Sequence, residues 1–211
     1  MHIIKHFVTI TRHRFKVCKY CFMAGLYRQG LTHDLSKYSP SEFIAGARFY
    51  QGNMSPQVKE RVVLGYSAAW LHHKGRNKHH FEYWRDVDKT GTNAPVKMPA
   101  KYFGEMICDR VAASRIYLGK NYTDRSALEY FERRTDVGYM HPETAAQLRR
   151  FLTMIAEQGE KVAFKERKAY IKSESRKERA EKKRLVSEYK KELKTVKTMG
   201  KNALKYRIFL L

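Results

Sequence analysis

The stretch IIKHFVTITRHRFKVCKYCFMAGLY, residues 3–27 of a 211-residue chain, decides the fold class. Phe7, Ile10, Val17, Phe22 and Leu26 recur near the helical period, no proline interrupts them, and the first glycine is Gly25. The spacing predicts a long first helix that ends near Gly30. Working outward, Ser39-Pro40-Ser41-Glu42 reads as a helix start with proline in the first turn. Ser55-Pro56 repeats the device ahead of Val58, Val62, Tyr66 and Trp70, which share helical spacing. Lys74-Gly75-Arg76-Asn77 breaks that helix, and Thr90 to Pro95 reads as a loop. Pro99 opens a helix holding Phe103, Met106, Ile107 and Val111, and further helices are expected from Asp124 and from Pro142 through Ile155. Strand signals are almost absent, so an all-α helical bundle is expected. With 43% apolar residues the chain is long enough to bury one domain core.

Charge divides the chain. Lysine and arginine number 43 against 21 acidic residues, a formal charge of +22, which excludes an acidic binder and makes a polyanion the first partner to consider. Between Glu160 and Arg207 stand 18 basic residues against seven glutamates. Residues 1–158 are therefore expected to form one helical domain and residues 159–211 a basic charged helical tail. In the tail Val186, Tyr189, Leu193 and Val196 alternate by three and four like a short a/d seam. Its aromatic residues are few, only Phe164, Tyr170, Tyr189, Tyr206 and Phe209, so it is not expected to read bases. Nucleic acid or a protein partner is the expected contact of residues 160–211.

No apolar run approaches the ~18 residues of a membrane span. Lys5, Arg12 and Arg14 interrupt any signal-peptide core, so a cytoplasmic location is expected. Cys18, Cys21 and Cys108 are too few and too odd in number for a disulfide scaffold. Cys18 and Cys21 have the spacing of half a zinc site, but there is no second such pair, so buried reduced thiols are expected.

The chemistry lies in the histidines. Of nine, four fall in the segment Trp70-Leu71-His72-His73-Lys74-Gly75-Arg76-Asn77-Lys78-His79-His80-Phe81-Glu82-Tyr83-Trp84, and another precedes an aspartate in Gly30-Leu31-Thr32-His33-Asp34-Leu35-Ser36-Lys37. Imidazole nitrogen and carboxylate oxygen suit Fe, Mn, Zn and Ni, and residues on separate helices can close around one or two ions. Adjacent helical residues point about 100° apart, so one of His72 and His73, and one of His79 and His80, is expected to ligate while its neighbour supports it.

The order of these residues, a histidine on the first helix, a His-Asp pair, further histidines about 40 residues on and a downstream aspartate, resembles the HD superfamily of metal-dependent phosphohydrolases. The matching residues are His13, the doublet His33-Asp34, and Asp109 in Glu105-Met106-Ile107-Cys108-Asp109-Arg110. His6 competes with His13, whose distance to the doublet fits the superfamily better. The phrases around His33 and His79 look like an HD-like family of unknown function found in bacterial and phage genomes, over about residues 10 to 155.

The resemblance implies an HD-like helical bundle binding one or two divalent ions through His13, His33, Asp34, His72, His73, His79, His80 and Asp109. It implies hydrolysis of a nucleotide or related phosphoester by metal-activated water. Asp34, Lys37 and Glu82 are the expected catalytic residues, and Lys37, Lys74, Arg76 and Arg110 the expected phosphate contacts. Two other readings fit the same residues: an HD-like di-iron oxygenase, and a non-catalytic basic protein that binds nucleic acid or a partner.

Overall fold

A computed structural model describes residues 1–134 and 136–208, with the backbone alone described at 136, 137 and 198–208. Phe209 therefore lies outside the described residues, as does the side chain of Tyr206. The chain divides into two compact units, Met1–Ile171 and Lys172–Leu211.

Eight α-helices are present among the described residues: α1 Ile3–Met23, α2 Tyr27–Thr32, α3 Pro40–Arg48, α4 Pro56–Leu64, α5 Ala68–Arg76, α6 Ala100–Leu118, α7 Ser126–Glu132 and α8 Pro142–Ile208. The chain is all-α apart from one antiparallel pair of three-residue strands, β1 Arg85–Val87 and β2 Asn93–Pro95, with Arg85 opposite Pro95. Part of the expected loop at 90–95 is thus strand.

The first unit is built around α6, whose Phe103, Met106, Ile107, Cys108, Val111 and Ala112 are all buried. They share one core with Val17, Tyr20 and Cys21 of α1, Phe131 of α7, and Leu148, Phe151, Leu152 and Ile155 of α8. Each fully buried Leu, Ile or Phe side chain contributes about 1.5–3 kcal/mol. Cys18, Cys21 and Cys108 are free thiols, the latter two buried.

Three boundaries differ from the sequence reading. The first helix stops at Met23, not near Gly30, because Gly25 turns left-handed (φ 72°) and the Leu26 N–H closes back on the Cys21 carbonyl at 2.8 Å. The chain re-enters a helix at Tyr27. The run from Val58 to Trp70 is two helices: Gly65 (φ 80°) ends α4, and the Ser67 hydroxyl accepts from the Trp70 N–H at 3.0 Å to begin α5. Val58, Val62 and Tyr66 face solvent, Val62 at 74% exposure, while Glu60 is the buried residue of α4.

The composition changes where α8 kinks, at Gly159 (φ 81°, ψ 163°), a conformation open essentially to glycine. The first unit nevertheless runs on to Ile171, past the expected boundary at 158/159. Ala163, Phe164, Arg167 and Ile171 are buried in it, and the Glu160 carboxylate accepts from Tyr20 Oη (3.0 Å), Tyr122 Oη (3.0 Å) and Arg115 Nε (2.9 Å). Among the described residues, no helix is long and apolar enough to cross a membrane.

Candidate metal centre

Between α2 and a 3-10 turn at Leu35–Tyr38 the chain makes one strained step. His33 is extended (ψ 129°), and Asp34 is left-handed (φ 53°, ψ 26°), the sole non-glycine residue with positive φ among those described. Aspartate enters this region at a cost of about 1 kcal/mol. Arg14 of α1 secures the step by donating to the carbonyls of Leu31 (3.1 Å) and His33 (2.9 Å).

The step drives a completely buried carboxylate between two groups of side chains. Asp34 Oδ2 lies 3.2 Å from His33 Nε2 and 3.6 Å from His13 Nε2. Asp109 Oδ1 completes that side at 3.0 Å from His13 Nε2. Asp34 Oδ1 faces the other way, 3.4 Å from both His73 Nε2 and His79 Nε2. His80 joins that second group, and within each group of four the ligand atoms lie within 4.8 Å of one another.

Most of the inward atoms lack hydrogen bonds. Nε2 of His13, His33, His79 and His80 and Oδ1 of Asp34 are buried with none, and Oδ2 of Asp34 is ion-paired with Lys37 Nζ. Each such group costs about 1–3 kcal/mol when left unsatisfied. The outward nitrogens are satisfied: His33 Nδ1 and His79 Nδ1 meet Glu105 Oε1 at 2.9 and 3.1 Å, and His73 Nδ1 meets Glu42 Oε2 at 2.7 Å. An ionised carboxylate only accepts, so each ring donates from Nδ1 and presents Nε2 to the centre. Burial opposes the charge of Glu105 and Glu42, yet the bonded histidines hold both carboxyls below their usual pKa. Burial likewise opposes Asp34 and Asp109, and the surrounding histidines, with Lys37 beside Asp34, pull both well below the usual range. Imidazole Nε2 atoms converging with the oxygens of buried Asp34 and partly buried Asp109 fit a divalent ion on either side of Asp34.

His13, His33, Asp34, His73, His79, His80 and Asp109 are thus brought together. His72 is not with them: its Nδ1 donates to Glu42 Oε1 at 2.6 Å and its Nε2 accepts from Arg76 Nε at 2.8 Å. Arg76 is thereby engaged away from the centre. Lys37 Nζ sits 2.6 Å from Asp34 Oδ2, and its charge is retained because Asp34 outweighs the effect of burial. Lys74 is half-buried on α5 and belongs to neither group. Arg110 interacts with Arg134 and Glu82, and Glu82 Oε1 lies 3.9 Å from Arg134 Nη2. His6 is outside both groups, with its ring packed on Gly46.

Glu42 and Glu105 are site residues that the sequence reading did not assign. Glu105 carried a signal, since it lies four residues before Asp109 on the same face of α6. Glu42 resembled a capping residue, but its carboxylate turns inward and the Ser39 side chain makes no cap bond.

A small cleft adjoins the centre, with Lys37, Glu42, His6, Tyr50, Glu60 and Tyr117 in its wall.

No curated protein and no solved structure matches the chain. Residues 2–154, the span that contains every residue of the centre, match a family described as a family of unknown function (DUF5662), and the chain belongs to that family.

Proposed function

We propose that the chain is a metal-dependent phosphohydrolase of the HD type acting on a nucleotide or a related phosphoester. The observation that carries this reading is Asp34, a buried carboxylate whose two oxygens face separate groups of unsatisfied imidazole nitrogens. His13, His33, Asp34 and Asp109 would hold one ion, and Asp34, His73, His79 and His80 a second. The donor set suits Fe, Mn, Ni or Zn. Such ions, when bound, supply Lewis acidity toward water and toward phosphoryl oxygens.

The chain's own side chains do the rest. Lys37 stands at the border of the centre and the cleft, where its ammonium meets a phosphoryl oxygen entering from the cleft. Tyr50 and Tyr117 line the side of the cleft toward which the alcohol half of the ester is directed. Glu42 and Glu105 hold the imidazoles in place while substrate enters. Three free thiols accord with a reducing cytoplasm.

Elemental analysis of the purified protein beside His33→Ala and Asp34→Ala tests the reading, together with phosphate release from a panel of phosphoesters. About one or two metal equivalents are expected, lost in both variants along with hydrolysis. Oxygen uptake by the iron-loaded protein without phosphate release would replace hydrolase by di-iron oxygenase. Absence of metal after reconstitution would leave a basic binding protein.

A further inference from the structure

The unit Lys172–Leu211 separates its charges by helix face. At about 100° per residue, Arg176, Arg179, Lys183, Lys190, Lys194 and Lys197 fall within an arc of about 60°. All six are exposed. The five glutamates between residues 172 and 197 all lie at least about 130° from the midline of that arc. Off this arc, Lys177 pairs with Glu174 at 2.7 Å, and Arg184 with Glu181 at 2.7 Å and Glu188 at 2.9 Å. The helix thus offers one line of positive charge, about 32 Å long, with no carboxylate on its face.

We infer that this line binds the phosphate backbone of a nucleic-acid duplex without reading its sequence. The inference does not depend on the metal centre. A row of cations about as long as one duplex turn, roughly 34–36 Å, complements the dense phosphate charge of a duplex. Single strands are held by stacked bases, and the one aromatic residue described in this unit, Tyr189, lies off the line beside Val186, Leu193 and Val196. An anionic bilayer would have to admit that apolar side, which Glu181 and Glu192 border.

The test is fluorescence anisotropy of the full chain with a 24-base-pair duplex of random sequence, over a range of salt. Arg179→Gln/Lys183→Gln/Lys190→Gln removes charge from the line. Lys177→Gln/Arg184→Gln/Lys191→Gln removes the same charge from the flank. Circular dichroism establishes that both triples keep wild-type helicity. Loss of three phosphate contacts flattens the slope of log K against log salt by about 2.7 and weakens binding at 0.15 M salt on the order of 100-fold. The flank triple is expected to stay within about threefold of wild type, as sites that make no phosphate contact do. Equal losses in the two triples would reduce the effect to net charge and overturn the inference. So would the absence of duplex binding, tighter binding to the single strand of the same length, or line-dependent binding to phosphatidylserine vesicles in its place.

Discussion

Nδ1 of His33 lies 2.9 Å from Oε1 of Glu105, across 72 residues of sequence, and this bond decides which nitrogen of the ring faces Asp34. The same oxygen holds His79 at 3.1 Å, so one carboxylate of α6 orients a histidine on each side of the centre. Glu105→Ala frees both rings at once. Metal affinity is expected to fall about 10- to 100-fold, the usual effect of removing a carboxylate that orients ligating histidines. Competition titration against a chromophoric chelator measures it. Unchanged affinity would mean that the rings are held by packing alone.

Asp34 separates metal binding from folding, because asparagine tolerates its left-handed backbone but cannot bridge as a carboxylate does. Wild-type protein is expected to lose thermal stability on addition of a chelator, by up to about 4 kcal/mol where free ion had stood at 1,000 times its Kd. Asp34→Asn is expected to keep its far-ultraviolet circular dichroism and to melt at one temperature with or without chelator. A chelator response as large in the variant as in wild type would place the ion elsewhere.

The sequence carried much of the centre, because adjacent His33 and Asp34 and the aspartate of α6 are rare enough together to stand out. What it could not carry was facing. His72 and His73 differ by one helical step, and only the position of Glu42 turns one ring inward and leaves the other half-exposed. Glu42 itself was masked by its place after Ser39-Pro40, where a helix cap is the more usual use of glutamate. The valines of α4 failed differently. Periodicity reports that one face is apolar, not that anything covers it, and here the buried position is Glu60, held by Ser67. Helix ends at Met23 and Leu64 depended on Gly25 and Gly65 adopting positive φ, which composition does not distinguish from a tolerated mid-helix glycine.

Acid sensitivity is expected from His6. Burial, with Lys37 nearby, lowers its pKa from 6.5 to about 4. A histidine that is neutral in the folded state and protonates more readily when unfolded stabilises the fold above about pH 6.5, and that contribution is lost as the pH falls toward 4. The whole effect is on the order of 3 kcal/mol. Urea unfolding at pH 7 and pH 4.5 should therefore show a larger acid loss for wild type than for His6→Gln. Parallel losses in the two proteins would assign the acid sensitivity to other groups.

Gly46 and His6 are complementary, and each explains the other. A Cβ at Gly46 would stand 2.2 Å from Nε2 and 2.4 Å from Cε1 of the His6 ring, closer than any real contact. The ring is 5% exposed and packs beside Phe43 with centroids 5.2 Å apart, so it has little room to retreat. Gly46→Ala is expected to destabilise the protein by about 1–3 kcal/mol, the usual effect of overfilling a packed site. In a His6→Ala background the clash is gone. The backbone at Gly46 is ordinary α-helix, where alanine is favoured over glycine by about 0.5–1 kcal/mol, so the same substitution should become neutral or stabilising. A double-mutant cycle on unfolding free energies is expected to give a coupling of about 2 kcal/mol between the two positions. Additive effects would mean that α1 and α3 relax apart around the new methyl group, and that His6 is not what keeps glycine at position 46.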